Sequence, residues 1–260
     1  MTGSIGRLTS APLVYALCQV RFSAVTAMQS YVEGPNGIQE RLRKRFPIYR
    51  AGTVQNVRIL PESGRPETVS AARWSFLDKE RTTGFILNTD SLVIHTTDYR
   101  DFDAFSNDLA VALQILKDHV EVSLVERIGL RYVDQILPAE GDTLEKYVHP
   151  GIRGLDFDEV DTRDHQYRCE SLCTTAIGQL VTRYYRARLP GLLPEDLMPL
   201  ELSSKALAQP NDITGMLDID HFMQGTIDFD VARIKEITNL LHDGTSAAFL
   251  AAVSNHALDV

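Results

Sequence analysis

The segment Arg127-Ile128-Gly129-Leu130-Arg131-Tyr132-Val133 decides the fold. It sits inside the run from Val125 to Ile136, which reads as a long strand. Side chains alternate along a strand, so Arg127, Gly129 and Arg131 share one face. Ile128, Leu130 and Tyr132 share the other, and that face belongs to a core. A sheet with a greasy side and a charged side is therefore the starting point.

Strands and helices extend outward from this centre. Arg73–Leu77, Gly84–Asn88 and Leu92–Thr96 read as a three-strand meander, and Leu13–Phe22 and Val54–Leu60 as earlier strands. Met28 to Phe46 has helical character, broken at Gly34-Pro35-Asn36-Gly37 and ended by Pro47. Phe102, Phe105, Leu109, Ala112, Leu113, Leu116 and Val120 fall at three- and four-residue steps, which defines an amphipathic helix. Thr143–Val148 reads as a short helix, Thr174–Arg188 and Ile213–Phe222 as strands, and Leu189–Pro199 as Pro-rich and irregular. Val231–His242 and Thr245–Leu258 read as two terminal helices separated at Asp243-Gly244.

The expected fold class is α+β: a mixed or mostly antiparallel sheet with helices on one face. Residues 1–10 are expected to be a flexible N-terminus and 11–260 a single domain. Asp101-Phe102-Asp103 and Asp228-Phe229-Asp230 each precede a helix. This echo suggests two strand–helix–strands–helix pseudo-repeats, 11–122 and 123–260. Independent helix-start chemistry explains the echo equally well, because Asp caps free N–H groups wherever a helix begins.

Composition narrows the function classes. The chain has 260 residues, 44% hydrophobic content and a net charge of −9, so long-range electrostatics disfavour nucleic acid and anionic membrane as partners. No apolar run reaches the ~20 residues needed to span a bilayer. Ala11–Cys18 after Arg7 mimics a short signal peptide, but Pro12, Gln19 and Arg21 favour a buried first strand. Three cysteines, Cys18, Cys169 and Cys173, argue against a disulfide framework, and the expected location is cytoplasmic.

Ala11-Pro12-Leu13-Val14 running into Gln19-Val20-Arg21-Phe22, Arg73-Trp74-Ser75-Phe76, the Arg127–Val133 segment and Leu217-Asp218-Ile219-Asp220 together resemble a sporadically distributed bacterial family of similar length with no assigned activity. The likeness is weakest from 140 to 210. It implies a small accessory bacterial protein linked to mobile or defence gene content, and it brings no catalytic residues with it.

No Walker A loop, G-x-G-x-x-G, H-E-x-x-H or G-x-S-x-G occurs in the chain. The primary expectation is accordingly a non-enzymatic protein-interaction or binding protein, acting through a protein partner or its own dimer, with no cofactor and no metal. The alternative is a sensor or enzyme for a small anionic ligand, a nucleotide or phosphate. Arg127 and Arg131 would hold the anion, because a guanidinium binds carboxylate or phosphate through two parallel hydrogen bonds. Gly129 between them would leave a gap for close approach. Asp218 and Asp220 also share one strand face and are candidate metal or acid–base groups. The plainer and favoured reading of the four charges is an internal salt-bridge ladder across neighbouring strands.

Other clusters weigh less. His165, Cys169 and Cys173 would align as zinc ligands if their segment were helical, and His221 lies beside Asp220 but on the opposite strand face. Arg41, Arg43, Lys44 and Arg45 suit a helix C-terminus, with a nucleic acid or an acidic partner as the sharper reading. The acidic loop Asp156–Asp164 reads as a solvated loop, with calcium or a basic partner, that run included, as the sharper readings. Trp74 and the Phe249, Val253 and Leu258 stripe read as packing.

Overall fold

In the computed structural model nine antiparallel strands among the described residues form one sheet: β1 (Leu13–Phe22), β2 (Ile48–Ile59), β3 (Pro66–Leu77), β4 (Thr83–Asn88), β5 (Ser91–Thr96), β6 (Leu124–Ile136), β7 (Tyr167–Thr174), β8 (Gln179–Ala187) and β9 (Thr214–Asp228). Their spatial order is β2-β3-β4-β5-β1-β6-β9-β8-β7. Residues 12–23, 28, 36–59, 66–155, 165–188, 193–198, 200–203 and 213–259 are described. The expected flexible N-terminus 1–10 and the acidic loop 156–164 lie outside them.

Four helices accompany the sheet among the described residues: α1 (Asn36–Leu42), α2 (Phe102–Val120), α3 (Val231–Ala252) and α4 (Asn255–Asp259). The Asp101 side chain accepts from Ala104 N at 2.7 Å, and the Asp230 side chain from Arg233 N at 2.7 Å, so both long helices start on an aspartate cap. Leu109, Leu113 and Leu116 of α2 and Ile234, Ile237 and Leu241 of α3 join Ala16, Cys18, Ile128 and Leu130 of the central strands in one core. Burying each such aliphatic side chain is worth roughly 1.5–3 kcal/mol, which fixes the strand face that alternation assigned to the interior. None of these helices is long and apolar enough to cross a membrane.

On the opposite face of the sheet the described residues form a smaller cover. Leu193 and Leu202, from the irregular segment after β8, pack on Tyr15, Leu77, Val133 and Met216 to form a smaller cluster. The rest of that face carries the arginines.

Several elements differ from the sequence expectation. α3 runs unbroken through Asp243-Gly244, because the glycine serves packing there and not chain reversal: a Cβ on Gly244 would run into the His221 ring. β7 was not expected as a strand; its mostly exposed edge gives no apolar alternation to read. Only Asn36–Leu42 of the expected Met28–Phe46 helix is helical among the described residues beyond Met28, and Thr143–Val148 shrinks to a 3-10 turn over Leu144–Lys146. β2 starts at Ile48, upstream of the expected Val54, and β9 continues past Phe222 to Asp228.

Candidate functional site

β6 lies between β1 and β9 at the middle of the sheet. Its register sets Arg131 opposite Asp220 and Val133 opposite Asp218, so the two arginines and the two aspartates lie on one face. The structure brings all four sequence-predicted residues together. Asp218 has no exposed side-chain surface and accepts from Arg131 Nε at 2.7 Å and Nη2 at 2.8 Å. Arg183 of β8 reaches the same carboxylate at 3.4 Å and holds Glu170 of β7 at 2.6 Å. A charge ladder therefore crosses β6, β9, β8 and β7, as the favoured reading expected.

Arg131 is also held from the other side. Asp196, in the 3-10 turn Glu195–Leu197, accepts from it at 2.5 and 3.1 Å. Burial works against the Arg131 cation, but the hydrogen bonds and charges of Asp218 and Asp196 outweigh that and push its pKa up. The same contact lowers the Asp196 carboxyl. Arg131 commits four of its five N–H donors to these two carboxylates and forms a fixed floor.

Arg127 is different. Its guanidinium lies flat over Gly129: a Cβ there would come within 2.6 Å of Nη1 and 2.9 Å of Cζ. The gap that the glycine was expected to leave for a ligand is filled by Arg127 itself. One edge donates to Gln19 Oε1 at 3.0 Å, and the group sits 4.4 Å from the Phe222 ring centre, a cation–π distance. Its ion-pair partner among the described residues is Asp220, at 3.5 Å. Burial dominates on both sides of this loose pair. It lowers the pKa of Arg127 and raises that of Asp220, and the attraction between them offsets the cost only in part.

Above these groups opens a cleft of about 510 Å³, lined by Arg127, Arg131 and Asp220, by Arg73 of β3 and by the Asp196 turn. Leu17, Ile86, Val93, Leu197 and Met198 give it apolar walls. Arg73 pairs with Glu201 at 2.9 Å, and its buried Nε and the Oε2 of Glu201 have no partner. Beside the cleft, Tyr15 hydroxyl meets His95 Nδ1 at 3.0 Å; burial drives the His95 pKa down to about 3, so the imidazole is neutral.

Sequence reasoning missed Arg73, Arg183, Asp196, Gln19 and Phe222. Alternation would have placed Gln19 and Arg183 on this face once the pairing was known. Asp196 comes from an irregular segment and left no periodic signal.

The weaker candidates resolve otherwise. Tyr167–Thr174 is a strand, where Cys169 and Cys173, four residues apart, stand ~13 Å from each other. They cannot share one ion with His165, and no cluster of three potential ligands positioned for a metal occurs among the described residues. His221 faces the helices, bonding Leu241 O at 3.0 Å and Thr175 at 2.9 Å, and takes no part with Asp218 and Asp220. Three of the four residues of the basic run form ion pairs within the chain. Arg41 pairs with Asp118 at 2.5 Å, Arg43 with Glu40 at 3.2 Å, and Arg45 with Asp108, so two of the three partners come from α2. Trp74 is buried in the main core, and Phe249, Val253 and Leu258 pack in a smaller cluster with Leu217 and Ile219.

No family model, curated protein or solved structure matches the chain.

Proposed function

We propose that this chain is a non-enzymatic binding protein that takes a small ligand bearing an acidic group in the cleft on the open sheet face. One observation carries the reading: Arg127 lines a cleft of about 510 Å³ and meets its carboxylate partner at only 3.5 Å. A half-compensated guanidinium in a cavity within the ~300–1,000 Å³ range of small-molecule sites is suited to an incoming anion. Arg131 sets the floor and does not itself bind, because Asp218 and Asp196 occupy it. The segments that resemble the bacterial family fall on β1, β3, β6 and β9, all of which contribute to the cleft. A cytoplasmic accessory role in bacteria is part of the same proposal.

Thermal-shift screening of the full chain against organic acids, nucleotides and phosphorylated metabolites tests it. Stabilisation should appear for at least one class, persist weakly in Arg127→Lys and vanish in Arg127→Met. A flat response across the panel counts against the reading.

A second reading, a protein partner or self-association, is supported by the sheet edge. β7 ends the strand order, and Leu172 on it is 62% exposed. Light-scattering mass with and without Leu172→Lys is the measurement, and a monomer in both cases removes it. The two-repeat reading of 11–122 and 123–260 gains no support, because the aspartate caps of α2 and α3 are what independent helix starts also give.

A further inference from the structure

The charges around the cleft constrain the ligand beyond its acidic group. Three guanidiniums line the cavity, those of Arg73, Arg127 and Arg131. With their partners counted, Glu201 stands on Arg73, Asp220 on Arg127, and Asp196 and Asp218 on Arg131, while Arg183, which shares Asp218, has Glu170 of its own, so four guanidiniums meet five carboxylates. The surroundings thus hold no surplus of positive charge, and the chain as a whole carries −9. A multiply charged anion would meet a neutral-to-negative field and pay the full cost of leaving water.

Among the described residues two pairs keep spare capacity: Arg73–Glu201, whose unpartnered Nε and Oε2 are buried out of reach, and a bipolar one that opens to the cleft. Arg127 and Asp220 are partly exposed to the cleft, at 22% and 17% of their side-chain surface, and they face each other too far apart for a short hydrogen bond. A guanidinium has five N–H donors and a carboxylate about four acceptor sites; the contacts made here use few of either. Burial costs both groups more than their mutual attraction returns, as the opposite shifts of their pKa values indicate. A ligand that inserts a negative group beside Arg127 and a positive one beside Asp220 completes both ions at once. An isolated anion completes one and leaves Asp220 more exposed to like charge.

We propose that the ligand is a small zwitterion, an α-amino acid or short peptide with an apolar side chain, whose carboxylate meets Arg127 and whose ammonium group meets Asp220. The apolar walls at Leu17, Ile86 and Val93 take the side chain. The Gln19 amide, already bonded to Arg127, holds that guanidinium in place against the ligand. This inference rests on the reading of the cleft as a site for an acidic group on Arg127 and deepens it.

Calorimetric titration of the full chain with matched probes tests it. After a screen of the natural amino acids and of dipeptides with apolar side chains, the best binder is compared with its deaminated carboxylic acid, its decarboxylated amine, and AMP. The zwitterion should bind at least tenfold more tightly than any of the three. Asp220→Asn should remove most of the preference for the zwitterion over the deaminated acid, while Arg127→Met should lose binding of both; the wild-type comparison stands alone if either variant fails to fold. Equal or tighter binding of the deaminated acid or of AMP overturns the zwitterion assignment and leaves the acidic-group reading in place. Binding of no probe overturns both.

Discussion

Arg131 grips Asp218 through two hydrogen bonds of 2.7 and 2.8 Å, and the carboxylate beneath has no exposed surface. A buried carboxylate of this kind is stable only while its cations stay in place. Asp218→Ala leaves Arg131 with Asp196 alone and Arg183 with Glu170 alone, and breaking a buried pair from one side costs up to roughly 3–5 kcal/mol. Urea unfolding should show that loss. The double variant Arg131→Met with Asp218→Leu should recover much of it, because two apolar groups of similar size replace the buried pair while Arg183 keeps Glu170. Equal losses in the single and double variants would mean that the pair packs the sheet by shape and not by charge.

Gly244 and His221 make a second prediction. Alanine favours a helix over glycine by ~1 kcal/mol at an ordinary helical position. At 244 the added methyl runs into the His221 imidazole, which is held on both ring nitrogens by Leu241 O and Thr175. Gly244→Ala should therefore destabilise the fold by ~1–3 kcal/mol, the usual cost of overpacking. Adding His221→Ala should relieve part of the loss. Thermal melting of the two variants separates the terms, and a gain in stability from Gly244→Ala alone would show that the helix simply slides away.

Asp134 sets a pH dependence. It is buried among apolar neighbours, no ion pair reaches it among the described residues, and burial with the nearby Asp218 charge raises its pKa to about 7. The folded state holds the proton more tightly than the unfolded chain, so the contribution is complete below about pH 4 and is lost as pH rises toward 7. The shift corresponds to ~4 kcal/mol at most. His95 acts in the opposite sense: its pKa of about 3 means that the fold resists protonation, so stability falls as pH drops below the ordinary histidine range. The two effects overlap between pH 4 and 6.5, so wild-type curves mix them. Asp134→Asn isolates one: it should be more stable than wild type at pH 8 and show no advantage at pH 4. Parallel curves for the two proteins would remove Asp134 as a titrating group.

Much of the fold is legible before any coordinates, and the illegible parts share a cause. β1, the meander, α2 and β6 all have one face against the core, so burial writes a period of two or near 3.6 into the residues. β7 and the Glu195–Leu197 turn do not bury a full face, and their residues follow no period. The break expected at Asp243-Gly244 took a glycine for punctuation where it makes room for His221. The site behaves likewise. Arg127, Arg131, Asp218 and Asp220 were readable because strand alternation groups them; Arg73, on the strand face opposite Trp74 and Phe76, needed the strand order as well, and Asp196 arrives by tertiary folding alone. That alternation could not say which arginine was spare: Arg131 is also held by an aspartate from the irregular segment, and Arg127 is not.

Gly129 offers the most selective test of the cleft. A methyl there meets the far end of the Arg127 side chain, at 2.6 Å from Nη1, and no backbone atom is among its nearest neighbours. A flexible side chain can swing aside, so Gly129→Ala should fold with a stability change below ~1 kcal/mol, which includes the loss of stacking on Phe222. The displaced guanidinium would leave Gln19 and separate further from Asp220. Ligand stabilisation should then fall by at least tenfold although no charge has been removed. Arg127→Lys should fall between wild type and Gly129→Ala, since it keeps the charge without the planar fork. Wild-type binding in a well-folded Gly129→Ala protein would show that the flat pose of Arg127 is only packing, and the ligand would have to be sought on another group of the cleft.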